Sequence, residues 1–257
     1  MSATFVASTG SEIVSAHGTD SGAKISGGTQ LDYGTAISAT VSAGGSQIVE
    51  SGGTATGNNV VSGQQDVYLS GLATSTTIGT AAMQDVSGTA SATTVSSGGT
   101  QIVESGGTAK SGAVIKGGTE IVDGGTAFGI AVSSGATVIV SSGGSLTLSG
   151  GTIGSGAAVE ILDNASAIIS GSVTNSGTLL ASDSESLITI VSGAVVNGGA
   201  IQIRQHLQHQ RHAERVERRH DCIGHFARQL LVGKLPSHRR PRQYRGDHRS
   251  NDGAAGW

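Results

Sequence analysis

The 257-residue chain carries 42 Gly, 3% aromatic and 13% charged residues, against about 7% Gly and about 25% charged residues in an ordinary domain. That composition excludes a round core of large side chains and leaves Val, Ile, Leu and Ala to fill a thin, extended one. The net charge of −3 conceals a split: residues 1–203 hold three Lys and no Arg against 13 acids, a net −10, whereas residues 204–257 hold 11 Arg and one Lys against five acids, a net +7.

The N-terminal stretch MSATFVASTGSEIV has neither the basic nor the apolar region of a secretory leader. No run reaches the roughly 18 apolar residues of a membrane-spanning helix. Cys222, the single cysteine, permits no intramolecular disulfide.

Internal similarity begins at residue 11. The phrases SQIVESGGTATGNNVVSGQ from Ser46, TQIVESGGTAKSGAVIKGG from Thr100 and TEIVDGGTAFGIAVSSGA from Thr119 are copies of one unit. QIVESGGTA recurs unchanged at Gln47 and Gln101. Unit starts are read at Ser11, Thr29, Ser46, Gln65, Ala82, Thr100, Thr119 and Thr137, spaced by 17 to 19 residues, the mark of a repeat architecture. A sharper regularity is an Ala followed five residues later by a branched aliphatic: Ala36/Val41, Ala55/Val60, Ala73/Ile78, Ala90/Val95, Ala109/Val114 and Ala127/Val132. The first unit departs, with Asp20 in the Ala position before Ile25.

Helices are excluded on two grounds. Gly costs about 1 kcal/mol per helical position relative to Ala, and β-branched residues lose rotamer freedom there. The apolar residues form short runs (IVE, VIV, LTL) between Gly-Gly or Ser-Gly pairs, which read as short strands and as turns that need φ > 0. A strand–turn–strand unit of about 18 residues predicts one coil of a parallel β-solenoid. Val then stacks on Val and Ala on Ala, and each coil completes its neighbour's core. Alternation allows only one member of each Ile-Val pair to face inward; the pattern alone leaves open which. Residues 137–203 predict further, less regular coils, about ten in the whole body.

At SGGTQIVESGGTA and its copies the chain resembles the strand-loop-strand repeats of autotransporter passengers, those of the diffuse-adherence and self-associating adhesins. The resemblance covers residues 11–150 well and 151–203 moderately. It implies an all-β fold, a right-handed parallel β-helix, at the cell surface or outside the cell. It also implies adhesion, self-association and biofilm formation, with Ser and Thr glycosylated in some members. The stretch SDSESLITIVSGAVVNGGAIQI also resembles the segment that precedes a hedgehog/intein-type self-processing domain in some repeat proteins.

The body shows no catalytic constellation: no G-x-S-x-G elbow, P-loop or H-E-x-x-H. Its one histidine, His17, stands alone and reads as a surface residue. Glu50 and Glu104 share a repeat position, with Asp123 nearby; a solvated acidic face is expected rather than a cation-binding ladder. No catalytic, cofactor or metal residue is assigned, and an enzymatic solenoid would need a groove of acids or cations that the body lacks. The expected role is adhesion or self-association through a Ser/Thr-rich wall, with cell-surface or glycan ligands, and a passive spacer as the alternative reading. An uncapped solenoid end also exposes unpaired backbone and favours self-association.

The chemical language changes after GGAIQI. RQHLQHQRHAERVERRH follows directly, and past residue 203 Thr vanishes while Arg and His appear at once. His206, His209 and His212 drift around a helix rather than converging, and His220, Cys222 and His225 lack a second pair at zinc-finger spacing, so no metal site is assigned. The few aromatics argue against nucleic-acid binding despite the basic charge. The abruptness points to a shifted-frame translation of further repeat, with a genuine basic tail as the alternative. Domains are therefore read as a solenoid over 1–203 and a tail over 204–257, disordered apart from a marginal helix at FARQLLVG.

Overall fold

The computed structural model describes residues 3–204 and the backbone of His220 and Asp221. The expectations for the tail, its marginal helix and its His and Cys sets included, lie outside the described residues. Within them the chain is a β-solenoid of three parallel sheets, with no helix. Each of the first ten coils contributes one short strand to each sheet, and the last described coil contributes to the first and second only. The first sheet starts with Phe5–Val6, Lys24–Ser26 and Thr40–Ser42, the second with Ser11–Val14, Thr29–Asp32 and Ser46–Val49, the third with Thr19–Ser21, Thr35–Ile37 and Thr54–Thr56. Each pairs in register with its copy in the next coil, and the one antiparallel pairing sets His220–Asp221 against Gln202 and Ile203.

The columns are those the repeat predicts. Ala36, Ala55, Ala73, Ala90, Ala109 and Ala127 stack on one another. So do Val41, Val60, Ile78, Val95, Val114 and Val132, and both columns are buried. Each buried Val or Ile is worth roughly 1.5–3 kcal/mol. Asp20 sits in the Ala column beneath Ala36, as the spacing requires. Beyond Thr137 the coils lengthen: the stacked strand starts become Ala158, Thr178 and Ala200. Larger inward residues, Leu146, Leu148, Ile161, Ile169 and Leu179, fill the wider interior.

The Val of each Ile-Val pair is the inward member. Val49, Val103, Val122 and Val140 are fully buried, whereas Ile48, Ile102, Ile121 and Ile139 stand on the outer face. Alternation therefore turns the residue two before each Val inward as well, and in five successive coils this position is a glutamine, four times before Val and once before Asp32. Gln30, Gln47, Gln65, Gln84 and Gln101 are all buried and stacked in register. This phase corrects two unit starts: Gln65 and Ala82 are replaced by Gln64 and Met83, the residues that stack on Ser46 and Thr100.

The buried amides satisfy one another. Gln47 Nε2 donates to Gln30 Oε1 at 2.8 Å. Gln65 donates to Gln47, Gln84 to Gln65 and Gln101 to Gln84, each at 2.6 Å. In three of the four acceptors the second lone pair is taken from the side, by Asn58 on Gln47, Thr76 on Gln65 and Thr93 on Gln84. At the N-terminal end Gln30 Nε2 donates to both Glu12 and Asp20, at 2.8 and 3.0 Å. Glu12 stands where a further glutamine would lie beneath Gln30, and Asp20 is a second acceptor for the same amide nitrogen, which gives its departure from Ala a physical reason. The ladder splits the core of these coils. Val49, Ala55, Val67 and Ala73 pack apart from the column of Ile25, Val41, Val60 and Ile78.

The glycine pairs have two separate causes. In SGGTA the first glycine is left-handed, φ 83° at Gly52 and 86° at Gly106. The second makes a close approach: a Cβ on Gly53 would overlap the Asp32 carbonyl oxygen of the coil below, and one on Gly107 that of Val86.

Candidate functional surface

With the interior closed, the outer wall is what the solenoid offers. The first position of each third-sheet strand forms an outward hydroxyl row: Thr19, Thr35, Thr54, Thr89, Thr108 and Thr126, interrupted once by Leu72. Parallel pairing spaces such a row at about 4.8 Å per coil, so one contact geometry repeats along the wall. On the second sheet, a separate face of the solenoid, the Ile residues form an apolar outer column, from Ile13 and Leu31 to Ile102, Ile121 and Ile139.

Two coils break that column. Where the repeat reads QIV, residues 65–67 and 84–86 read QDV, and Asp66 and Asp85 lie side by side in register on the outer face. With Tyr68, Ser87, Glu104 and Ser105 they line a shallow pocket of about 380 Å³. Burial pushes the Asp66 carboxyl above the usual range, and the Asp85 charge adds to this. Asp85 is raised by burial, and Glu104 by burial and by the charges of Asp85 and Asp123. Gln64 Nε2 donates to Asp66 Oδ1 at 2.5 Å.

Glu50 and Glu104 do share one column, as expected, but Tyr68 and Ser87 separate them, and only Asp123 adjoins Glu104. The acids thus form a local patch and not a continuous ladder. His17 is an exposed turn residue with φ 65°. Among the described residues no group of three or more His, Cys, Asp or Glu is placed to hold a metal ion. The Asp66–Asp85 pair belongs to no motif; its signal in the sequence is the Ile-to-Asp change at a column position in two adjacent units.

No family model matches the chain, and no curated protein matches it. Among solved structures it is similar to the crystal structure of a TibC-catalysed, hyper-glycosylated fragment of TibA, at 29% identity, over 76% of this chain and 90% of that one, with a TM-score of 0.51. The chain fits an autotransporter passenger repeat protein. The in-register repeat explains why the wall is uniform. One coil's outward residues are reproduced by the next, so the surface presents rows in place of a single cleft. Among the described residues no helix is long and apolar enough to cross a membrane.

Proposed function

We propose that the protein is a non-enzymatic, adhesin-like passenger, at the cell surface or secreted, that adheres or self-associates through its outer wall. The observation that carries this reading is the in-register hydroxyl row from Thr19 to Thr126 on the third sheet. Weak contacts repeated at a fixed spacing add as avidity, so a long regular wall binds another long regular wall or a glycan-coated surface without any one strong site. The hyper-glycosylation of the similar TibA fragment favours a related reading, that exposed Ser and Thr of this wall carry glycans.

The test is to couple the full chain to beads and count clusters against bare beads. Clumping at micromolar chain, abolished when alternate Thr of the row are changed to Lys, is the expected result. Dispersed beads that also ignore glycan-coated surfaces would leave a passive spacer as the function.

A further inference from the structure

The amide ladder has a direction. From Gln30 to Gln101 every Nε2 donates toward the N-terminal coil, and every Oε1 up to that of Gln84 receives an amide from the coil that follows. The residue stacked on Gln101 in the next coil is not a glutamine but Glu120. It is 1% exposed, and its Oε1 has no hydrogen-bond partner. An ionised carboxylate there would set two acceptors against each other in a dry interior, a costly arrangement.

The surroundings supply no compensating charge. The inward residues of the paired strands are Gln101 and Val103 on one side and Val138 and Val140 on the other. In its own coil Ala127, Ile130 and Val132 are buried and apolar. In the coil below, the lateral position held by Asn58, Thr76 and Thr93 in earlier coils is taken by Gly112, which offers no side chain. The charged groups of these coils, Glu104, Lys110, Lys116 and Asp123, lie on the outer face or in turns.

We propose that Glu120 is held in the fold as the neutral acid, that its hydroxyl donates to the Gln101 side-chain oxygen, and that this single proton terminates the ladder and makes the solenoid acid-favoured. The two ends of the ladder are then chemically opposite. Glu12 and Asp20 accept from Gln30, and Glu120 donates to Gln101. Beyond it the column turns aliphatic with Val138, Val159 and Leu179. Burial alone raises the Glu120 carboxyl from 4.5 to about 7. A raised value means that the contribution to stability is fully present below the unfolded value and is lost as pH rises through the folded one.

The direct test is a carbon-13 NMR titration of the side-chain carboxyls of the full chain, with Glu120 assigned through Glu120→Gln. A Glu120 carboxyl that is still protonated at pH 6 is the expected result; one that titrates with the exposed glutamates would overturn the proposal. Denaturation gives a second readout. The isosteric Glu120→Gln variant keeps a donor for Gln101 at every pH, so its urea midpoint should fall less than that of wild type between pH 4.5 and 7.5. Identical midpoint shifts in the two proteins would also overturn it. If Glu120→Gln does not fold, Glu120 is assigned by residue-selective labelling and the wild-type titration decides.

Discussion

Gln84 Nε2 donates to Gln65 Oε1 at 2.6 Å in the middle of the coil stack, where an aliphatic side chain would ordinarily sit. Gln65 in turn donates to Gln47 and accepts from Thr76. Replacing Gln65 by Leu would leave the Gln84 amide and the Thr76 hydroxyl without their acceptor. An unsatisfied buried polar group costs about 1–3 kcal/mol. Gln65→Leu should therefore destabilise the chain by roughly 2–4 kcal/mol in urea denaturation, despite adding an apolar residue to a core. Thr100→Leu, at the outward first position of the Gln101 strand, should change stability by no more than about 0.5 kcal/mol. Equal effects would mean that the ladder is not formed.

The two glycines of one turn should respond differently to the same substitution. Gly106 has φ 86° with open space around its Cβ direction, so Gly106→Ala should cost about 1–2 kcal/mol of backbone strain. Gly107→Ala places a methyl against the Val86 carbonyl oxygen and should cost more, because two coils must separate. Thermal melts of both variants read the order directly.

Much of this architecture was legible because identical residues stack. The Ala–Val spacing and the Gly-Gly pairs mark columns and turns without reference to any structure. The ladder was not legible, because Gln47 and Gln101 are polar and a residue-by-residue reading sends them outward. Only the fixed two-residue step to the inward Val reveals them, and the same step corrects the unit starts to Gln64 and Met83. The corner between the third and first sheets is left-handed in successive coils, yet Ser38, Ser75, Ala92 and Ser111 occupy it as readily as Gly57 and Gly129. A strain of about 1–2 kcal/mol per corner is imposed by the stacked neighbours and leaves no trace in local sequence. Of the outer patch, Glu104 and Asp123 were visible as acids, whereas Asp66 and Asp85 were hidden by the departure of two units from QIV.

Stability should depend on pH through Asp32 as well. It is fully buried in the column of Val49 and Val67, its Oδ2 has no partner, and burial raises its carboxyl from 3.8 to about 6. Its contribution is therefore complete below about pH 4 and is lost as pH rises through about 6. Asp32→Asn should flatten the stability profile between those values. An unchanged slope would show that Asp32 ionises in the fold as it does in the unfolded chain.

Residues 204–257 invite a genetic test. We infer that they are further repeat translated in a shifted frame. Reading the coding DNA across codons 195–257 in all three frames should restore Gly-Gly, Thr and Val at the 18-residue period. If no frame does so, the basic tail is a genuine product.

The register of the stack is the claim on which the rest depends, and spin-label distances measure it. With Cys222 changed to Ser, nitroxides are placed at Ile37→Cys with Ser91→Cys, and at Ile37→Cys with Thr147→Cys. The first pair is separated by three coils and the second by six, within one outward column. At about 4.8 Å per coil the backbone separations are about 14 and about 29 Å. A second distance about twice the first is the predicted result. Two similar distances, or a broad distribution for either pair, would contradict a coil stack in this register.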